Sequence, residues 1–115
     1  MSAKLNTRLV GDVAVIDVSG RITLGDASTA MREEILRALT DQGHKKILLN
    51  LGDVAYIDSS GIGELVSGYT TMVHRGGALK LVGLTKRVKD VLQITKVYSL
   101  FEVYEEETEA VRSFA

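Results

Sequence analysis

Residues 47–51 read Ile-Leu-Leu-Asn-Leu, and residues 79–82 read Leu-Lys-Leu-Val. In the first run the apolar side chains fall on both alternating faces, which is typical of an interior strand that is covered on each side. A strand, a helix and a second strand in this order predict a parallel pair, with residues 47–51 near the middle of the sheet. The helix between the two runs is indicated by one apolar stripe at helical spacing, namely Ile62, Leu65, Val66, Tyr69 and Val73.

The boundaries of this unit and the residues before it continue the same pattern. Residues 52–58 are predicted to form a loop before the helix, and Gly76-Gly77 to end that helix. Upstream, residues 5–10 and 13–18 are two β-rich runs that a two-residue loop, Gly11-Asp12, joins as a hairpin. A first helix then follows, from Asp26 as its N-cap to Gly43 as its left-handed end. Its predicted core residues are Ala27, Met31, Ile35, Ala38 and Leu39.

The residues after position 82 predict one more helix, one more strand and a final helix. Thr85 is the predicted N-cap of the third helix, and residues 101–104 are the predicted last strand. A C-terminal helix begins at residues 105–107, where three glutamates suit the positive end of a helix dipole. The order ββαβαβαβα predicts a single α/β domain over residues 1–115, with a mixed, mostly parallel sheet of about five strands and four helices. The last two helices are expected to pack through Val88, Val91, Leu92, Ala110, Val111 and Phe114.

Composition excludes several classes of function. The 115 residues carry 14 Lys and Arg against 15 Asp and Glu, so the formal net charge of −1 gives no basic footprint for nucleic acid or for an anionic membrane. The absence of cysteine excludes thiolate catalysis and cysteine metal sites, and His44 and His74 lack the spacing of metal ligands. We therefore expect no metal and no cofactor. The N-terminus lacks an apolar signal core and no run approaches a membrane span, so a cytoplasmic protein without membrane insertion is expected.

The candidate site is the segment at residues 58–63, which reads Asp-Ser-Ser-Gly-Ile-Gly at the start of the second helix. In α/β folds, binding sites form where strand ends meet helix N-termini. The simplest interpretation is that Ser60 is an N-cap, although Gly63 has no side chain to complete a capping box. Poor helix formers at a helix start indicate that another group approaches the backbone closely. One candidate is a phosphoryl group on a hydroxyl, which would sit among free amides.

Three segments carry a resemblance to a known family: residues 15–22 (Val-Ile-Asp-Val-Ser-Gly-Arg-Ile), residues 47–51, and residues 56–63 (Tyr-Ile-Asp-Ser-Ser-Gly-Ile-Gly). Over essentially its whole length the chain resembles the STAS-domain anti-sigma factor antagonists of bacteria. The resemblance implies that an anti-sigma factor serine kinase phosphorylates Ser59 and that a serine phosphatase reverses this. It also implies that only the unmodified protein binds the anti-sigma factor and frees sigma. The flanking and partner-binding residues would be Asp58, Ser60, Gly61, Ile62, Gly63, Arg21 and Thr23.

One position departs from the family pattern. Thr23 stands where members usually carry Asp, and together with Arg21 it makes the local charge about two units more positive. This leaves open an alternative, in which the chain is a constitutive STAS scaffold or an accessory subunit of a transporter or larger signalling complex. A small serine hydrolase is a third possibility, but neither histidine has a context that places it near Ser59. We therefore expect a non-enzymatic protein.

Two further features are assigned by their surroundings in the sequence. Tyr56 and Ile57 are expected to close the core beneath the second helix; the alternative is that one of them is exposed as a docking anchor. Lys86, Arg87 and Lys89 form the longest basic cluster and are expected to face solvent, where an acidic partner could contact them.

Overall fold

The computed structural model describes residues 3–114. Its five strands lie in one sheet in sequence order, with β1 and β2 antiparallel and every later neighbouring pair parallel. The predicted α/β class, the opening hairpin and the central position of β3 are confirmed. The elements are β1 (Ala3–Val10), β2 (Val13–Ile22), α1 (Asp26–Thr40), β3 (Lys46–Ile57), α2 (Ser59–His74), β4 (Ala78–Val82), α3 (Lys86–Ile94), a 3₁₀ turn (Tyr98–Leu100), β5 (Val103–Tyr104) and α4 (Glu107–Arg112).

Strand β3 is longer than predicted, and the expected loop at residues 52–58 is wrong for most of its length. The strand continues to Ile57 because β2 also continues, to Ile22, and the two ends pair in parallel. Register shifts between Asp17 and Arg21 mark an irregularity in this pairing. Such a bulge breaks the strict two-residue alternation by which a strand is recognised in a sequence.

The two faces of the sheet carry cores of different size. Helices α1, α2 and α3 cover one face and enclose the larger cluster, to which Ile47 and Leu49 of β3 belong. Helix α4 covers part of the other face, where the smaller cluster includes Leu48 of β3 and Ala110. Neighbouring residues of β3 are therefore buried on opposite faces, as the continuous apolar run at residues 47–51 predicts.

The inward face of α2 is rotated relative to the predicted stripe. Ile62 and Leu65 are buried as expected, but Val73 is 50% exposed, and Met72 is fully buried in its place. The buried face includes Gly68, where α2 lies so close to α1 that an added Cβ would be 3.0 Å from Ile35. A glycine contributes nothing to an apolar stripe, so the hydrophobic pattern alone points to a slightly different face.

Element ends agree with the sequence in part. Thr85 caps α3 as predicted, accepting a hydrogen bond from the N–H of Val88 at 3.3 Å, and Gly43 has a positive φ of 70° after the end of α1. Asp26 is not the N-cap of α1: the cap is Gly25, and Asp26 is the first helical residue. The last strand and helix also start later than predicted, at Val103 and Glu107, because the 3₁₀ turn and a bend at residues 105–106 take up the intervening chain.

Gly61 fixes the start of α2 against the end of β2. A Cβ on Gly61 would lie 2.6 Å from the carbonyl oxygen of Ile22 and 2.7 Å from the side chain of Ile57, whereas a Cβ on Gly63 would meet nothing within 4 Å. We therefore expect Gly61→Ala to lower the free energy of unfolding by about 1–3 kcal/mol through overpacking. Gly63→Ala should raise it by up to about 1 kcal/mol through helix propensity. Urea denaturation of both variants measures the difference, and equal stability would contradict the close contact at Gly61.

Candidate functional site

Asp58 caps helix α2 and ties it to the loop between β2 and α1. Its Oδ1 accepts a hydrogen bond from the N–H of Gly61 at 3.0 Å, and its Oδ2 accepts one from the N–H of Leu24 at 3.0 Å. Ser60 is therefore not the N-cap; the helix begins at Ser59, and the residue before it supplies the capping oxygen. Both carboxylate oxygens of Asp58 are thus engaged by backbone groups of its own chain.

Backbone hydrogen bonds hold the same loop from both sides. The N–H of Asp58 donates to the carbonyl oxygen of Ile22 at 3.1 Å, and the N–H of Ser28 donates to that of Thr23 at 3.3 Å. The N–H of Gly61, and after it that of Leu24, lower the pKa of Asp58 below its ordinary value, because these donors favour the ionised carboxylate. At neutral pH the site therefore contains a fixed, hydrogen-bonded anion beside Ser59.

Ser59 is exposed at the first position of α2, and Ser60 beside it is half-buried. The side chain of Ser59 therefore lies at the N-terminal end of a 16-residue helix, where the free N–H groups create a positive potential. Of the remaining predicted residues, Gly63 is exposed, while Gly61 and Ile62 are buried. The buried pair positions this turn on the sheet, and the exposed residues form its outer surface.

The structure explains why residue 61 is a glycine without invoking a ligand, but it gives no such reason for the glycine at position 63. The group that approaches Gly61 closely is the carbonyl oxygen of Ile22, in the same chain. The expectation that a small residue admits an outside group therefore does not hold for Gly61. Gly63 has open space around it, so at that position an approaching surface would meet only backbone.

Tyr56 does not close the core, which is the first of the two placements expected from the sequence. Ile57 is 1% exposed and belongs to the core as expected, but Tyr56 is only half-buried and lies outside the core clusters. The guanidinium carbon of Arg21 lies 4.9 Å from the centre of its ring, and that of Arg87 lies 5.3 Å away. These are cation–π distances, so two arginines from β2 and α3 share one aromatic side chain next to the site.

Leu24 is a site residue that the sequence reasoning missed. Its side chain is 80% exposed although its N–H is fixed by Asp58. No sequence signal marks it, since a single leucine after a strand has no periodic partner. The outer surface of the site thus combines a hydroxyl, an apolar side chain and the arginines near Tyr56.

The two histidines lie far from Ser59. His74 is the last residue of α2, so at 1.5 Å per residue it is about 22 Å away along the helix. His44 precedes β3, whereas Ser59 follows that strand, so His44 lies at the opposite end of the sheet. Within residues 3–114 no group of three His, Cys, Asp or Glu side chains is arranged to hold a metal ion.

The helices of the described residues are also all too short or too polar to cross a membrane.

Comparison with known proteins gives matches over most of the chain. The family model for the STAS domain matches residues 4–110. The anti-sigma-B factor antagonist of Bacillus subtilis (strain 168) is 30% identical over 88 residues, which cover 76% of this chain and 78% of that protein.

Solved structures share the fold. The anti-sigma factor antagonist SpoIIAA in its unphosphorylated form gives a TM-score of 0.80 at 21% identity, covering 96% of this chain and 95% of that one. The phosphorylated form of SpoIIAA, from Bacillus, gives a TM-score of 0.76 at 19% identity, covering 97% and 100%. The murine Solute Carrier 26 family member A9 anion transporter gives 0.78 at 17% identity, with 92% of this chain matching 18% of that chain. At these identities the structural likeness shows the fold alone.

The two oxygens of Asp58 can be tested separately. Asp58→Ala removes both contacts and should lower the free energy of unfolding by about 1 kcal/mol or somewhat more. Asp58→Asn keeps one oxygen to cap Gly61, but its amide nitrogen has no lone pair for the N–H of Leu24, so it should cost less. Urea denaturation at pH 7 gives both values.

We also expect the stabilisation by Asp58 to depend on pH. Because the pKa of folded Asp58 is lowered, its stabilisation is fully present above the unfolded pKa of about 3.9 and is lost as the pH falls through the folded value. The stability gap between wild type and Asp58→Asn should therefore narrow as the pH falls below about 5. A gap that stays constant over this range would show that the ionised form contributes nothing.

Proposed function

The chain belongs to the STAS domain family, and from this membership we propose that it acts as an anti-sigma factor antagonist. The unphosphorylated protein binds a cognate anti-sigma factor that is also a serine kinase, and thereby releases a sigma factor. Phosphorylation of Ser59 ends the binding, and a serine phosphatase restores it. The role is one of binding in the cytoplasm, without a catalytic step of its own. The anti-sigma-B factor antagonist of Bacillus subtilis, at 30% identity, supports the proposal.

The observation that carries the proposal is the exposed position of Ser59 on a turn that does not need its hydroxyl. Asp58 supplies the cap, so modification of Ser59 removes no capping hydrogen bond. A phosphate adds about 1.5 to 2 negative charges at the positive end of α2, where they are tolerated. The domain therefore stays folded, and the change is directed at whatever docks on this surface. SpoIIAA, which shares the fold, has been solved in both phosphorylation states.

The partner kinase catalyses the phosphoryl transfer. The Ser59 hydroxyl oxygen forms a bond to the γ-phosphorus of ATP, and the bond from that phosphorus to the bridging oxygen of ADP breaks. The hydroxyl proton passes to a base on the kinase, and ADP leaves. Nothing in this step requires a general base on the present chain, which agrees with the distance of both histidines from Ser59.

Thr23 favours a second candidate function. If the absence of a carboxylate at this position removes kinase recognition, the domain is a constitutive scaffold or an accessory subunit of a transporter or larger signalling complex. In that case Ser59 stays unmodified and partner binding is insensitive to its charge. The fold occurs within an anion transporter, which is compatible with such a role.

Phosphorylation of Ser59 is tested with the purified anti-sigma factor kinase encoded nearest to the gene. Incubation with ATP should add one phosphate to the wild type and to Ser60→Ala, as measured by intact mass, and none to Ser59→Ala. Fragment spectra should place the phosphate on Ser59. Modification of Ser59→Ala to the same extent would remove this residue from the mechanism, and an unmodified wild type would favour the scaffold.

Binding is tested with the same kinase by calorimetry. Ser59→Asp should weaken binding by about tenfold or more, which corresponds to about 1.4 kcal/mol, while its melting temperature stays close to that of the wild type. Ser60→Asp serves as the matched control for a carboxylate one residue away. Equal affinity of the wild type and Ser59→Asp would contradict a switch based on charge.

A further inference from the structure

The first turn of α3 is positively charged, although the N-terminus of a helix favours acidic side chains. Lys86, Arg87 and Lys89 lie there, and no acidic residue balances them within that turn. Cations near a helix N-terminus are unfavourable, because the free N–H groups already carry partial positive charge. A sequence selected for helix stability alone would place Asp or Glu here. Local choices that oppose the fold are expected at functional surfaces.

The other cations of this turn have companions within α3 or after it. Lys86 donates to Asp90 at 2.9 Å, and Lys89 lies 5.6 Å from the ring of Tyr98. Arg87 instead reaches across to Tyr56 of β3, on which Arg21 of β2 also lies. Two guanidinium groups from different elements thus converge on one ring. Stacking on Tyr56 restricts both side chains, so less conformational entropy remains to be lost when an anion binds them.

The carboxylate nearest to Tyr56 along the chain is engaged by backbone groups. Asp58 follows Tyr56 by two residues, but its two oxygens accept hydrogen bonds from Gly61 and Leu24. Its position is therefore set by backbone N–H groups. Two guanidinium groups therefore lie on one ring, three residues before Ser59, in a protein whose formal net charge is −1.

We propose that Arg21 and Arg87, held on Tyr56, form the basic part of the docking surface, and that the anti-sigma factor presents a matching acidic surface to them. This inference rests on the proposed function and names the charge of the partner. Complementary charges of this kind accelerate association and select the partner. Arg21 and Arg87 together form the arginine pair.

The same arrangement gives the phosphorylation switch a physical basis. Ser59 follows Tyr56 by three residues, so their Cα atoms are at most about 11 Å apart. This is close to the Debye length of about 8–10 Å at physiological salt. A phosphate on Ser59 carries about as many negative charges as the arginine pair carries positive ones. Phosphorylation would therefore neutralise the surface that attracts an acidic partner and repel that partner directly.

The test is charge reversal at the arginine pair, with binding to the purified anti-sigma factor kinase encoded nearest to the gene as the readout. Arg87→Glu and Arg21→Glu should each weaken binding by at least about tenfold at low salt, mainly through slower association. Both should also reduce the loss of affinity with rising salt concentration. Tyr56→Phe keeps the ring and should bind as the wild type, whereas Tyr56→Ala releases both guanidinium groups and should bind more weakly.

A matched control separates the local effect from net charge. Arg112→Glu changes the net charge by the same two units but lies in the last turn of α4, on the other face of the sheet. It should leave binding unchanged. The melting temperature of Arg87→Glu controls for unfolding: the variant loses the contact with Tyr56, but a glutamate in the first turn of α3 suits the helix dipole, so the melting temperature should stay close to that of the wild type.

The outcomes distinguish this inference from the proposed function. If Ser59→Asp weakens binding and the reversals at the arginine pair do not, the inference is wrong and the proposed function stands. If the charge reversals weaken binding and Ser59→Asp does not, the partner has an acidic surface as inferred, but the proposed phosphorylation switch at Ser59 is wrong. Stronger binding by Arg87→Glu would show that the partner surface is basic. No binding by the wild type overturns both.

Discussion

The carboxylate of Asp58 is the contact on which the geometry of the site depends. Its two oxygens join the first turn of α2 to Leu24, which lies 34 residues earlier in the chain. The backbone of Asp58 is held by Ile22 at the same point. The end of β2, the following loop and the start of α2 are therefore one rigid unit, and Ser59 is presented from it in a defined position.

This arrangement divides the segment at residues 58–63 between structure and surface. Gly61 and Ile62 are buried, and Gly61 has no room for a Cβ, whereas Ser59 and Gly63 are exposed and Gly63 has open space around it. A charge added on the outward side does not disturb the inward side, because none of the hydrogen bonds of Asp58 involves the hydroxyl of Ser59. A regulatory site that must change its partners without unfolding requires this separation.

Much of the fold follows from the sequence. The exceptions all depend on contacts between segments that are far apart in the chain. The run at residues 47–51 and the stripe from Ile62 to Tyr69 predict the central strand and its helix, since both signals are local. The extension of β3 to Ile57 is not predicted, because it depends on pairing with the bulged end of β2. For a related reason the sequence alone favours Ser60 as the N-cap of α2, whereas in the structure the cap is Asp58. Both residue types cap helices, and the choice is decided by Leu24, which approaches through the tertiary fold.

In the candidate site too, contiguous residues are predicted from the sequence and tertiary contacts are not. The placement of its charged side chains depends most on contacts between residues far apart in the chain. The sequence identifies Ser59 and its neighbours, because they are contiguous, and it identifies Arg21 and Thr23 through the resemblance to a family. It does not bring Arg87 to Tyr56, 31 positions earlier, since that contact exists only once α3 packs beside β3. Arg87 adds a positive charge in the first turn of α3, where the helix dipole disfavours one, and its guanidinium lies on the ring of Tyr56 beside that of Arg21. A cation placed against the helix dipole and beside the candidate site is the local choice that our proposal of an acidic partner accounts for.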